Sequence, residues 1–410
     1  MNRRDFLGAG LGGLAWSSMG LTRSAKASVD ERVLVVLFMR GGWDGLNVVV
    51  PYGDEEYYRK RPTIAIPDPL GAATHPALDL DGFFGFHPSM TGLHELYGRG
   101  MVAVMPAVHY AQASRSHFAG QDMIESGVQS DLDRGWLARY LLATGRDPAA
   151  SAVSISEQMP RSLYGLASPP MVIPGLSSLG LAAGQSDLPL IEHVITTSYG
   201  WGPRGRNPYD ESLYRIGSHL KTKLDTLQSI GASQTSASQG YPASNLGRSL
   251  SNVAALVRAR SGVELVTLNA GGWDTHGAQG GAQPQSRMAS LLADFSQSVT
   301  AFFNDLGADA SRVVLLTATE FGRTVAENNS EGTDHGHAST WMVIGPSVRG
   351  GMHLGGGWPG LDAARLHEGR YLAHTIDFRS IYAEVLQGFI GFSNTSAILP
   401  GFTREAIGLF

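Results

Sequence analysis

Apolar residues along this chain gather in unbroken runs as often as they alternate with polar ones. The clearest run is Arg32-Val33-Leu34-Val35-Val36-Leu37-Phe38-Met39, and shorter ones recur over residues 101–105, 263–268, 313–317 and 341–344. A strand with one wet face alternates apolar and polar side chains, so continuous runs predict strands buried on both faces of a mostly parallel sheet. Between the runs, apolar positions recur at helical spacing over 89–97, 118–126, 132–142, 211–227, 245–260, 287–306 and 378–389. Strands alternating with helices predict a three-layer α/β/α fold, because helices on both faces are what cover such a sheet.

The N-terminus has a different pattern. Arg3 and Arg4 stand just ahead of Phe6-Leu7, a Gly/Ala/Leu/Trp stretch runs from Gly8 to Leu21, and Ala25-Lys26-Ala27 supplies the small residues that a signal peptidase reads. These features predict a twin-arginine export signal over residues 1–27, recognised by the twin-arginine translocase, with a mature start at Ser28 and a working site in the periplasm or outside the cell. Glycines interrupt the stretch, which falls short of the roughly 20 strongly apolar residues of a spanning helix, so no membrane span is expected after cleavage. Gly8-Ala9-Gly10-Leu11-Gly12-Gly13 imitates a dinucleotide-binding turn but follows no strand, and is set aside. Residues 28–410 read as one α/β domain with an insertion at about 150–250. The small, uncharged stretch Ser229–Gly240 reads as a surface loop.

Composition narrows the chemistry. Cysteine is absent, which removes disulfides, thiolate ligands and a cysteine nucleophile. The formal net charge of -5 and scattered basic residues offer no surface for nucleic acid.

One short internal echo locates a candidate site. Gly41-Gly42-Trp43-Asp44-Gly45 and Gly271-Gly272-Trp273-Asp274-Thr275 each follow a buried run, so the same turn delivers Asp44 and Asp274 to the carboxyl edge of the sheet. In open α/β sheets that edge is where ligands bind. His276 follows the second turn, Glu320 follows the run ending at Thr317, and Asp334-His335-Gly336-His337 lies in a nearby glycine-rich segment. Carboxylates and neutral imidazoles are what divalent ions take when no thiolate is available. The expected cofactor is therefore a divalent metal, zinc first, with manganese, calcium or magnesium as alternatives. Ser114-Arg115-Ser116-His117-Phe118 opens a helix, where free N–H groups and the dipole favour an alkoxide or bound oxyanion, so Ser114 or Ser116 is a candidate nucleophile. His87 before Pro88 and His109 are further candidates, each read as structural ahead of catalytic.

Together, the twin-arginine start, Met39–Asn47, Phe86-His87-Pro88, Ser114–Phe118, Gly271–His276, Thr319-Glu320-Phe321-Gly322-Arg323 and Asp334–Ala338 resemble the exported bacterial family catalogued as domain of unknown function 1501. The motifs span nearly the whole chain. That family resembles in turn the alkaline phosphatase and sulfatase superfamily, which implies an alkaline-phosphatase-like core and a metal-centred site at the strand ends.

The resemblance also implies roles. Ser116 would attack a phosphate ester, or a sulfate-type one, in line, beside an ion held by Asp44 and the Asp334-His335 pair. A second ion roughly 4 Å away, held by Asp274, His276 and His337, would stabilise the departing oxygen. Arg115 or Arg323 would bind the non-reacting oxygens through a planar fork of donors, and His117 would assist. Two departures stand out. The strand that should end in Asp-His ends in Glu320-Phe321, so either Glu320 replaces the aspartate or the ligands have moved into the next segment. No Cys-x-Pro-x-Arg or Ser-x-Pro-x-Arg segment exists, which excludes an ordinary formylglycine sulfatase. The alternative is a non-catalytic exported envelope or secretion-associated protein that keeps the fold and binds a glycan or protein partner.

Overall fold

Strand β1 (Val33–Met39) shows why the central runs are apolar throughout: every residue in it is buried. Val33, Val35, Leu37 and Met39 enter one core, while Leu34, Val36 and Phe38 enter the other. Side-chain alternation thus divides one strand between two apolar layers. The computed structural model describes residues 31–176, 226–231 and 240–410. The expected export signal, most of the helix expected over 211–227 and residues 232–239 of the expected loop lie outside the described residues.

The other strands are β2 (Val49–Val50), β3 (Leu78–Asp79), β4 (Gly85–Phe86), β5 (Val102–His109), β6 (Ala152–Ile155), β7 (Met171–Ile173), β8 (Leu265–Ala270), β9 (Val313–Ala318), β10 (Ser339–Ile344), β11 (Gly351–Met352) and β12 (Ile376–Asp377). Nine of them form one sheet in the order β11-β5-β10-β9-β1-β8-β6-β7, with β12 also on β5, and β2-β4-β3 form a small antiparallel sheet. The large sheet is mixed but mostly parallel. Only β10 runs against its neighbours, β5 and β9. A parallel return needs a long crossover, usually a helix. Residues 319–338, which join β9 to β10, contain no helix, so the chain turns back antiparallel.

Helices Thr91–Gly98, Asn245–Arg258 and Arg287–Leu306 supply the first core, and His117–Ser126, Trp136–Thr144 and Phe378–Glu384 the second. Ser286 and Ser244 start two of them by accepting the N–H of Ala289 and Gly247. Strands β6 and β7, inside the span expected as an insertion, extend the main sheet beyond β8. They are too short to have been legible as runs. Among the described residues no helix is long and apolar enough to cross a membrane.

Candidate metal centre

The two Gly-Gly-Trp-Asp turns meet in space. Gly41, at φ +118°, lies so close to the second turn that a Cβ there would stand 2.6 Å from the Asp274 nitrogen. Trp43 and Trp273 pack edge to face with centroids 5.5 Å apart. Despite this pairing, the two aspartates diverge.

Asp274 faces a cluster. Its Oδ1 accepts from Arg323 Nη2 at 2.7 Å and lies 3.0 Å from His276 Nε2 and 3.2 Å from His335 Nε2. Its Oδ2 lies 3.5 Å from His117 Nε2. The Nε2 atoms of His276 and His335 are themselves 3.0 Å apart. His117, Asp274 and His335 each bring one donor atom within 4.8 Å of the others.

What lies behind the rings matters as much. His335 Nδ1 donates to the Arg115 carbonyl at 2.9 Å, His117 Nδ1 to Glu320 Oε1 at 2.9 Å, and His276 Nδ1 to Asp334 Oδ1 at 3.2 Å. Each Nδ1 proton is fixed by an acceptor, so each Nε2 turns its lone pair inward. This is the outer-shell pattern that orients histidine ligands. The imidazole nitrogens of His117 and His335 with the Asp274 carboxylate form a set of the donor types that zinc and related divalent ions take, and His276 Nε2 lies beside it.

The local electrostatics agree. Burial would raise Asp274, but the Arg323 guanidinium, with His276 and His335, takes its carboxyl down to about 2. Burial would also raise Glu320, and the hydrogen bonds from His117, Gln121 and the backbone N–H groups together outweigh it. The hydrogen bond to Glu320 pulls His117 up, whereas burial pushes His335 down.

Glu320 is wholly buried and also accepts from Gly41 N and Gln121 Nε2. It supports His117, and Asp334, steadied by Asn328 Nδ2, supports His276. Both were expected as ligands, and both reach the centre through a histidine. Gln121 and Asn328 are supports that the sequence did not single out, since an amide carries no metal signal of its own.

Three expected residues point elsewhere. Asp44 is buried and its two oxygens are taken by Arg61, at 2.6 and 2.9 Å, and by Gln279 Nε2 at 2.7 Å. It therefore stands apart from the cluster. Arg323 is no ligand clamp: it is buried and donates to the carbonyls of Gly41, Gly42, Trp273 and Thr333 as well as to Asp274. His337 turns away from His335 into a second histidine group. Its Nε2 lies 2.9 Å from His374 Nδ1, its ring stacks on His367 at 4.0 Å, and His109 meets it edge-on at 4.5 Å. Burial, reinforced by the neighbouring imidazoles, pushes His337 down to about 3 and His109 well below its usual value. His367 and His374 follow no strand end, so nothing in the sequence marked them.

At the helix start, Arg115 lies over the Tyr371 ring and pairs with Glu368. Ser114 Oγ accepts the Ser116 N–H. Ser116 is exposed at the N-cap, and its hydroxyl makes no capping bond.

Fold and cluster together define a mixed-sheet α/β protein with a histidine- and carboxylate-rich centre at the sheet's carboxyl edge. Residues 208–400 match the family described as "Protein of unknown function (DUF1501)", so the chain carries a DUF1501 domain over that span. Asp274, His276, Glu320 and His335 fall inside the matched span, which is narrower than the run of motifs in the sequence. His117 and Asp44 precede it. No curated protein matches the chain.

Proposed function

We propose that this protein is an exported, metal-dependent hydrolase or transferase acting on phosphate esters, or on sulfate-type esters, with an alkaline-phosphatase-like core. The observation that carries the reading is the convergence of the Nε2 atoms of His117, His276 and His335 on Asp274, each with its Nδ1 tied to an acceptor. Lone pairs and a carboxylate turned toward one point repel each other unless a cation lies among them. A divalent ion there supplies Lewis acidity toward the oxygens of a bound ester.

The chain's own groups do the rest. Asp274 and the three imidazoles hold the ion, Glu320 and Asp334 orient two of those imidazoles, and Arg323 locks the Asp274 turn. Ser116, whose hydroxyl is free of capping duty beside His117, is the proposed nucleophile. Its oxygen bonds to phosphorus as the P–O bond to the alcohol breaks, the alcohol leaves with the proton, and water then releases phosphate from the serine.

The binder without turnover is favoured by one observation: Asp44, the aspartate expected to hold a further ion, is neutralised by Arg61. Purified protein assayed on chromogenic phosphate monoesters, diesters and sulfate esters, with and without chelator, separates the two. Chelator-sensitive turnover supports the enzyme. Folded protein with bound metal and no turnover supports the binder, and folded protein that takes up no metal defeats both the centre and its chemistry.

A further inference from the structure

His109, the last residue of β5, is more than nine-tenths buried, and its Nε2 has no hydrogen-bond partner among the described residues. It stands in the second histidine group. His109 meets His337 edge-on, His367 stacks on His337, and His374 Nδ1 faces His337 Nε2 at 2.9 Å.

Topology gathers these rings. Strands β10 and β12 both pair with the end of β5, so that Ser339 lies opposite Val108 and Asp377 beside His109. His337 precedes β10 by two residues, His374 precedes β12 by two, and His367 sits on the tight turn that bridges to Tyr371. Four of the chain's 13 histidines thus collect where β5 ends and β10 and β12 begin.

The group differs from the centre at Asp274 in how its nitrogens are satisfied. There, the Nδ1 atoms of His117, His276 and His335 each have an acceptor behind them. Here, the four rings make one hydrogen bond among the described residues, between His337 and His374, and His367 Nε2 stands 3.5 Å from Glu368. Buried polar groups are nearly always bonded, and a set that is not calls for an ion or water among them. The charged groups alongside are already paired, Arg115 with Glu368 and Arg379 with Asp377. Imidazole is therefore the donor on offer, which suits zinc, copper or nickel and not the oxygen-seeking calcium or magnesium. Nitrogens that share such an ion at about 2.0–2.1 Å stand roughly 3 Å apart, close to the spacing of His337 and His374.

We propose that His337 and His374 bind a second divalent ion of the zinc, copper or nickel kind, separate from the ion at Asp274, and that His109 and His367 turn their rings to complete the set. Ligation by protein alone leaves no open position, so this ion ties β5, β10 and β12 together and takes no part in turnover. The proposal does not rest on the ester-hydrolase reading.

The test is elemental analysis, per folded chain, of full-length protein stripped with chelator and dialysed against zinc. Wild type is expected to hold one equivalent more than His374→Gln or His367→Gln. Both positions are only half-buried, so either variant decides the matter if the other fails to fold. Asp274→Ala should keep this equivalent, and adding His374→Gln should remove it. Loaded with copper, Asp274→Ala should show nitrogen splitting from imidazole ligands in its electron paramagnetic resonance spectrum. Zinc content that both histidine variants leave unchanged, or a copper spectrum without nitrogen splitting, overturns the proposal. A single equivalent in wild type, lost in His374→Gln and kept in Asp274→Ala, supports this site and defeats the ion at Asp274 alone.

Discussion

Arg61 grips Asp44 with two parallel hydrogen bonds, Nη1 to Oδ2 at 2.6 Å and Nη2 to Oδ1 at 2.9 Å, and both side chains are out of water. The same guanidinium donates to the carbonyls of Thr324 and Val325, so the pair ties the first Gly-Gly-Trp-Asp turn to the segment that carries His335. Burial alone would lower the pKa of Arg61, and the Asp44 carboxylate more than offsets it.

Substituting Asp44→Asn leaves that guanidinium buried without its counter-ion, a loss worth about 3–5 kcal/mol. The expected result is a large drop in urea midpoint with unchanged metal content per folded molecule. Asp274→Ala leaves the buried Arg323 without its carboxylate but with its carbonyl acceptors, and should lose metal, as read per molecule that remains folded. Loss of metal from folded Asp44→Asn protein would return Asp44 to the centre.

Glu320 anchors His117 from behind, and Glu320→Gln exchanges a charged acceptor for a neutral one. Metal affinity should weaken by about 10–100-fold, with stoichiometry intact, as read by competition with a chelating dye. An unaltered affinity would detach His117 from the ligand set.

The two serines of the helix start should separate cleanly. Ser114 accepts a backbone N–H in a turn, whereas Ser116 is unbonded at the N-cap. Ser116→Ala should lower turnover of a phosphate monoester by about 10³-fold or more, and Ser114→Ala should keep most of it. Equal turnover by both variants and wild type would remove the serine from the chemistry.

His87 gives a stability prediction independent of metal. Its Nε2 lies 3.3 Å from the Gly281 carbonyl and its Nδ1 accepts the Ser89 N–H, while burial pushes its pKa from 6.5 down to about 4. Below pH 6.5 the unfolded imidazole takes a proton that the folded one refuses. Stability should therefore fall as pH drops from about 6.5 toward 4, and this contribution should be constant above 6.5. In His87→Gln the difference in urea stability between pH 7.5 and pH 5 should shrink by about 2 kcal/mol. An unchanged difference would show that His87 titrates alike folded and unfolded.

Much of the architecture is legible in the chain. The runs at Val33–Met39, 313–316 and 341–344 are apolar throughout because both faces of their sheet are covered, and the helix expected over 287–306 has those bounds in the structure. The short strands β6, β7, β11 and β12 were not legible, since a few residues carry no period. The direction of β10 was not legible either, because it follows from the lack of a helix in the preceding connection.

At the centre, the sequence by itself determined which side chains could serve: no thiolate, acids after strand ends, and histidines at His117, His276 and His335. Tertiary structure decided among them. Asp44 and Asp274 sit in the same local motif, yet Arg61 packs against one and Arg323 with three imidazoles against the other. His335 and His337 are two residues apart, yet they enter different histidine groups. Local sequence sets what a side chain can bind. Which partner it meets depends on contacts between segments hundreds of residues apart, and those exist only once the sheet has brought the strand ends together.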